Sequence, residues 1–249
     1  MLNAPDYLAR IGYHGDISPT AETLRGIHRA HMLTVPFENL DIGRGTAIVL
    51  DEDALVRKVV ERRRGGFCYE LNGTFAALLR SLGFPVTLLS ARVPRPDGSF
   101  GPEFDHLALR VDLDEPWLAD VGFGDFFVEP IRLIVDMDQP QSDRIFRIIS
   151  CDGALQVVVT EADGTRRDEY RFTLQPRRLD EFAEMCHYHQ TSPQSSFTQK
   201  RLCSMATPEG RITLSGLRLI TTRNRQREER AVGQEEWADL LQERFGIVL

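Results

Sequence analysis

The strongest constraint on the fold is a change of hydrophobic period near residue 85. Before it, Leu71, Phe75, Leu78, Leu79 and Leu82 recur at i, i+4, i+7, i+8 and i+11, laying one apolar stripe along a helix. Gly83 then offers a left-handed C-terminal position, and Pro85 forbids continuation. After it, residues 86–93 are apolar and β-branched and 106–113 alternate, as strands do. A chain that turns from period 3.6 to period 2 in this way predicts an α+β protein with its helices first.

The flanking segments extend this reading. Residues 6–11 predict a short amphipathic helix. Ser18 and Pro19 predict the cap and first residue of a second, running to Pro36 with Leu24, Ile27, His31 and Val35 at helical spacing. Asp51 can cap a third, with Leu55, Val56, Val59 and Val60 inward. Beyond the turn-rich 94–102, Asp114-Glu115-Pro116 reverses 106–113 into 117–121. Strands are expected at 145–149, 155–160 and 170–174, parted by Asp-Gly turns at 152–153 and 163–164. Short consecutive strands with tight turns predict an antiparallel sheet or barrel. Residues 179–188 read as helix, 192–204 as polar and irregular, and 212–214 with 217–221 as a hairpin about Ser215-Gly216. The charged run 223–230 reads as a solvated loop, with a ligand-phosphate site as the alternative. A last helix carries Trp237, Leu240, Leu241 and Phe245 on one side.

Composition narrows the function classes. A length of 249 residues, with 42% hydrophobic and 27% charged, suits one large globular domain or two to three small ones. A net charge of −7 argues against a nucleic-acid surface. No apolar run approaches the ~20 residues of a membrane span, and the N-terminus lacks the pattern of a signal peptide. Four cysteines, 68, 151, 186 and 203, have no zinc-site spacing. The expectation is reduced thiols in the cytoplasm, no metal and no membrane or nucleic-acid partner. Homo-oligomerisation is left open.

Cys68 follows Gly65-Gly66 at the point where the 71–82 helix begins. There the helix dipole and free N–H groups favour a thiolate and offer donors to an oxyanion. The competing reading, a small buried hydrophobe, stays open. A nucleophilic thiol needs a base, and the base an orienting group. Of histidines 14, 28, 31, 106, 187 and 189, His28 and His31 lie within a helix and read as packing or surface residues. His187 and His189 stand near Cys186 but lack a second ligand cluster for a metal. His106 opens a strand after an irregular loop. Asp120, between Ala119 and Val121, ends the next strand, so a hairpin turning at 114–116 brings it beside His106. A carboxylate in an apolar strand is costly unless paired; the alternative is an Asp120 turned to solvent or capping Gly122.

Four motifs together go further: Val35-Pro36-Phe37-Glu38-Asn39-Leu40-Asp41, Arg63-Arg64-Gly65-Gly66-Phe67-Cys68-Tyr69-Glu70-Leu71-Asn72, Asp105-His106 into Leu107-Ala108-Leu109, and Ala119-Asp120-Val121-Gly122-Phe123-Gly124. In order and spacing they resemble the arylamine N-acetyltransferases, cytoplasmic enzymes that use acetyl-CoA. The resemblance implies an N-terminal helical bundle (1–85), a central antiparallel β-barrel (86–178) and a C-terminal α/β lid (179–249), with a cysteine-protease-like triad. It implies Cys68 as nucleophile, His106 as base and Asp120 as orienter, working by ping-pong transfer from acetyl-CoA to an aromatic amine or hydrazine. Phe37 and Phe123 would line the acceptor pocket. Gly101 and Gly124 would let backbone approach the cosubstrate, and Phe197 and Lys200 would sit at the cleft edge, the cation facing CoA phosphates. A Glu38–Arg64 ion pair would fix the loop carrying Cys68. Many bacterial members continue past the equivalent of residues 245–249 with a further helix. A shorter lid is therefore expected, opening a thioester to water or larger acceptors. Alternatives are a related amide synthase or an acyltransferase with another donor or acceptor, a hydrolytic cysteine enzyme, and a binding module that keeps the fold.

Overall fold

The computed structural model describes residues 2–249. Helix α1 (Ala4–Ile11) packs on α2 (Ala21–Met32). Thr20, rather than Ser18, caps α2, its hydroxyl accepting the Thr23 N–H. Asp16 explains the shift: its carboxylate accepts the Ile17 and Ser18 N–H groups and the Ser18 hydroxyl, so Ser18 is committed to a turn. After α2 come a two-residue strand, β1 (Phe37–Glu38), and the single turn α3 (Leu40–Gly43). Helix α4 (Glu52–Val56) is capped by Asp51 as expected and runs on into a π-helical turn, Arg57–Glu61.

Helix α5 (Cys68–Ser81) is the axis of the bundle: every residue from Cys68 to Leu79 is buried. A helix buried all round needs partners on every side, and α1, α4 and the barrel supply them. Gly65 makes the approach possible, since any Cβ there would collide with the Pro36 carbonyl.

The barrel comprises β2 (Val86–Arg92), β3 (His106–Asp112), β4 (Pro116–Ala119), β5 (Ile131–Arg132), β6 (Gln139–Gln141), β7 (Arg144–Cys151), β8 (Ala154–Thr160) and β9 (Arg166–Phe172). These form one antiparallel, nearly closed sheet in the order β5-β4-β3-β2-β9-β8-β7-β6. Phe126, Phe127, Phe146, Ile148, Val157 and Tyr170 fill it. The other face of β3 and β4 packs on the bundle through Leu107, Leu109, Val111 and Trp117. This alternation places His106, at the head of β3, where barrel and α5 meet.

A 3₁₀ turn, Leu179–Phe182, leads into α6 (Ala183–Thr191) and α7 (Ser196–Gln199). Strands β10 (Leu202–Thr207), β11 (Gly210–Ser215), β12 (Arg218–Arg223) and β13 (Gln226–Ala231) follow, and α8 (Gln234–Phe245) closes the lid. Their sheet takes its first strand from the bundle, in the order β1-β10-β11-β12-β13, with Phe37 opposite Ser204. Two expectations are corrected. Residues 192–204 are not irregular: they hold α7 and the start of β10, tied down by Asn39, whose amide donates to the Phe197 and Lys200 carbonyls and accepts the Leu202 N–H. The run 223–230 is not a loop beyond its Asn224-Arg225 turn. It is the exposed edge strand β13, where Arg218–Glu229 and Arg227–Glu229 pairs lie across and along the ladder. Charge that reads as solvated loop in a sequence is also what an edge strand carries to avoid further pairing. Among the described residues no helix is long and apolar enough to cross a membrane.

Candidate active site

Cys68 is the first residue of α5, and Gly122 lies against its backbone: a Cβ there would sit 2.8 Å from the Cys68 Cα. The Leu107 backbone N–H favours the anion of the Cys68 sulfur. One helix start is thereby fitted between the head of β3 and the segment after β4.

His106 and Asp120 meet as the hairpin predicts, with His106 Nε2 2.7 Å from Asp120 Oδ2 and both side chains buried. Asp120 Oδ1 accepts from the Asn72 amide at 2.8 Å and the Gly122 N–H at 2.9 Å. Burial alone would raise this carboxyl, but the His106 ring, the Asn72 amide and the Gly122 N–H together hold it below the usual carboxylate range. Asn72 also donates to the Leu107 carbonyl at 2.6 Å and accepts the Val121 N–H, stitching α5 to both strand ends. It escaped sequence reasoning, though its place at i+4 from Cys68, on the same helix face, was the available signal.

Burial acts against the thiolate that the helix start favours. Cys68 is only 3% exposed, and burial, then the neighbouring Cys186 thiol and the Asp120 and Asp105 carboxylates, push it well up; the Leu107 N–H acts in the opposite sense. The two effects oppose each other: the dipole acts over a fraction of a charge, whereas burial removes the water around a whole one.

Beneath Cys68 lies a buried cluster of charge. Arg64 grips Glu38 Oε1 through Nε and Nη2 at 3.0 and 2.8 Å, the expected pair, and reaches Asp41 as well. Lys58 completes it, 2.7 Å from Glu70 and 2.8 Å from Asp41. Glu70 Oε2 accepts the Phe67 N–H one residue before Cys68, so the cluster fixes the start of α5.

The aromatic positions gather around this centre. The Phe123 ring stands 5.0 Å from His106, edge to face, and Phe197 packs on Phe67, Phe37 and His189. Gly124, at φ +89°, lies 3.8 Å from Phe37 by its would-be Cβ. Gly101 is elsewhere: its N–H bonds the Val93 carbonyl and its open side faces the Asp105 carboxylate. The Lys200 stem lies over Gly216 in the β11–β12 turn rather than beside Phe123. Among the described residues His189 belongs to no group of ligands that could hold a metal; its ring bridges Asp105 and Ser195, both at 3.1 Å.

The N-acetyltransferase family model matches residues 20–249. The chain is 36% identical to the pineal gland isozyme NAT-3 of arylamine N-acetyltransferase from Gallus gallus, covering all of this chain and 95% of that protein.

The chain belongs to the arylamine N-acetyltransferase family.

The enzyme of this name from Escherichia coli (strain K12) is 34% identical, over 97% of this chain and 87% of its own. Among solved structures, that of the Nocardia farcinica arylamine N-acetyltransferase superposes with a TM-score of 0.90 at 36% identity, covering 100% and 90% of the two chains. The Mycobacterium marinum arylamine N-acetyltransferase in complex with CoA superposes with a TM-score of 0.92 at 30% identity, covering 98% and 93%. The three-part α+β architecture is that of these arylamine N-acetyltransferases, and the chain is an enzyme of that kind.

Proposed function

We propose that this arylamine N-acetyltransferase moves an acetyl group from acetyl-CoA to an aromatic amine or hydrazine by a ping-pong reaction through acetyl-Cys68. The observation that carries the reading is the 2.7 Å His106–Asp120 bond beside the start of α5, which spends Nε2 on the carboxylate and leaves Nδ1 as the ring nitrogen for proton transfer. A family neighbour solved with CoA supports the donor class.

His106 takes the Cys68 proton as the sulfur attacks the thioester carbonyl carbon, since the buried thiol holds its proton until a base removes it. Asp120, kept ionised, stabilises the imidazolium that forms. The C–S bond to CoA breaks, and His106 returns the proton to the departing thiol. In the second half, the amine nitrogen attacks acetyl-Cys68 and His106 accepts its proton. The C–S bond to Cys68 breaks, amide leaves and the proton returns to the cysteine. Phe37, Phe123 and Phe197 supply aromatic walls for a flat acceptor, with the Gly124 backbone between. Lys200, lying on the β11–β12 turn, is assigned to the outer edge, where the CoA phosphates would pass, and Gly101 to the loop that orders Asp105. The enzyme is placed in the cytoplasm.

The test is mass spectrometry after brief exposure to acetyl-CoA without acceptor. One added acetyl group mapped to Cys68, discharged by a simple arylhydrazine, is expected. CoA release without any adduct, or an adduct on another residue, would refute the covalent route.

A further inference from the structure

His28 is completely buried in α2, and both ring nitrogens are used. Nδ1 lies 2.7 Å from the Val128 carbonyl oxygen, which can only accept, so Nδ1 carries the proton. Nε2 is then the acceptor, and it takes the Asp120 backbone N–H at 3.2 Å. Asp120 stands one residue beyond the end of β4, outside the ladder, so that N–H would otherwise be a buried donor without a partner. The two partners of His28 are the two ends of one segment, 120–128, which carries Phe123 and Gly124. The ring is wedged between Phe75, edge-on at 5.7 Å, and Phe127 at 5.7 Å, so it has no freedom to turn away.

We propose that His28 is a positioning residue: it clasps both ends of the 120–128 segment, aiming the Asp120 carboxylate at His106 and setting the Phe123 wall. The inference rests on Asp120 being the orienter of His106. Burial drives the His28 imidazole down to about 4, so it is neutral and keeps this tautomer across the working range. The groups facing it are the Asp120 carboxylate and the neighbouring His31 ring, with Val128, Phe75 and Phe127 otherwise apolar or backbone.

Three substitutions separate the two bonds. Glutamine places its oxygen near the position of Nε2 and keeps the acceptor for Asp120. Asparagine places its amide near Nδ1 and keeps only the donor to Val128. Phenylalanine keeps neither. The readouts are the pH dependence of Cys68 alkylation by iodoacetamide and steady-state acetyl transfer, both measured below each variant's melting temperature. His28→Phe and His28→Asn are expected to shift the alkylation profile in the direction that Asp120→Asn shifts it, and to lower kcat by ~10-fold or more. His28→Gln is expected to restore the wild-type profile while still raising KM for the acceptor. Unmoved profiles in His28→Phe and His28→Asn, where Asp120→Asn does move it, would overturn the inference alone. An unmoved profile in Asp120→Asn would overturn the orienter reading, and the inference with it. The wild-type enzyme gives a check that no folding defect can obscure: ¹⁵N NMR of labelled histidine should find His28 protonated on Nδ1. Protonation on Nε2 would refute the clasp, since that nitrogen could not then accept.

Discussion

Replacing Lys58 by methionine tests how the charge cluster holds the start of α5. Lys58 and Arg64 face Glu38, Asp41 and Glu70, so the substitution leaves three carboxylates against one cation. Glu70 and Glu38 are almost wholly sealed from water, so solvent cannot take over from the lost ammonium. Removing one partner from a buried ionic group costs about 3–5 kcal/mol. For a domain of this size that lowers Tm by roughly 6–20 °C. The loss should also depend on pH. Burial raises the Glu70 carboxyl to about 7 against the pull of Lys58. A carboxyl raised in the folded state contributes stability that is present below its unfolded value and is lost as pH rises through the folded one. Without Lys58 the folded value climbs further, so the deficit of Lys58→Met should be small near pH ~5 and large near pH ~8. Neutralising the orphaned acid should recover part of it: Lys58→Met with Glu70→Gln is expected to melt above Lys58→Met alone. Thermal denaturation followed by circular dichroism at both pH values measures all of this. A pH-independent loss under about 3 °C, or a double variant no better than the single, would show that the cluster does not bear this load.

Three further outcomes follow from the same geometry. Gly122→Ala drives a Cβ to 2.7 Å from the Asn72 amide and 2.8 Å from the Cys68 Cα. Acetyl transfer should fall by ~100-fold with a smaller effect on melting; activity near wild type would refute the contact. In His106→Gln, Cys68 loses the base we propose for it, and burial should carry its alkylation midpoint above the free-thiol value of about 8.5. A midpoint below that value would mean that the helix terminus prevails over desolvation. His189→Phe keeps a ring against Phe197 but deletes the bonds to Asp105 and Ser195. It should raise KM for acetyl-CoA several-fold with little change in kcat, and unchanged kinetics would detach this ring from the cleft.

The fold was legible wherever one residue decided a local choice. The helical stripe of 71–82, the Asp51 cap and the reversal at 114–116 stand as the sequence implies, because each is settled by neighbours in the chain. Ser18 was misread for an equally local reason: Asp16, two residues earlier, competes for it. What sequence could not supply were partners brought from afar. Phe37 and Glu38 follow Pro36, where the helical pattern stops, and carried no strand reading, yet they join the lid sheet opposite Ser204 and Cys203. The Glu38–Arg64 pair was legible, but Lys58 and Glu70 were not, since nothing in their spacing says that a π turn and a capping glutamate face the same buried carboxylates. His28 stood at i+4 from Leu24 on the buried stripe, and a ring with two polar nitrogens at such a position needs two partners. That need was visible; the identity of the partners was not, because Asp120 and Val128 lie about a hundred residues away.

The site therefore separates two demands that compete in most thiol chemistry. A thiolate that stood ready in water would be open to every oxidant and electrophile, whereas burial beside carboxylates favours the protonated thiol. In the proposed mechanism the negative charge rests on Asp120, where His106, Asn72 and the Gly122 N–H stabilise it, while burial disfavours it on the sulfur. On that proposal the charge that appears during reaction is an imidazolium facing a carboxylate already oriented for it, so little reorganisation accompanies proton transfer. The benefit depends on the carboxylate not turning, and its side chain and backbone are held by α5 through Asn72 and by α2 through His28. Both helices belong to the bundle, while His106 and Asp120 stand on the barrel. In the proposed mechanism the bundle thus contributes the nucleophile together with the restraint on its distant partner.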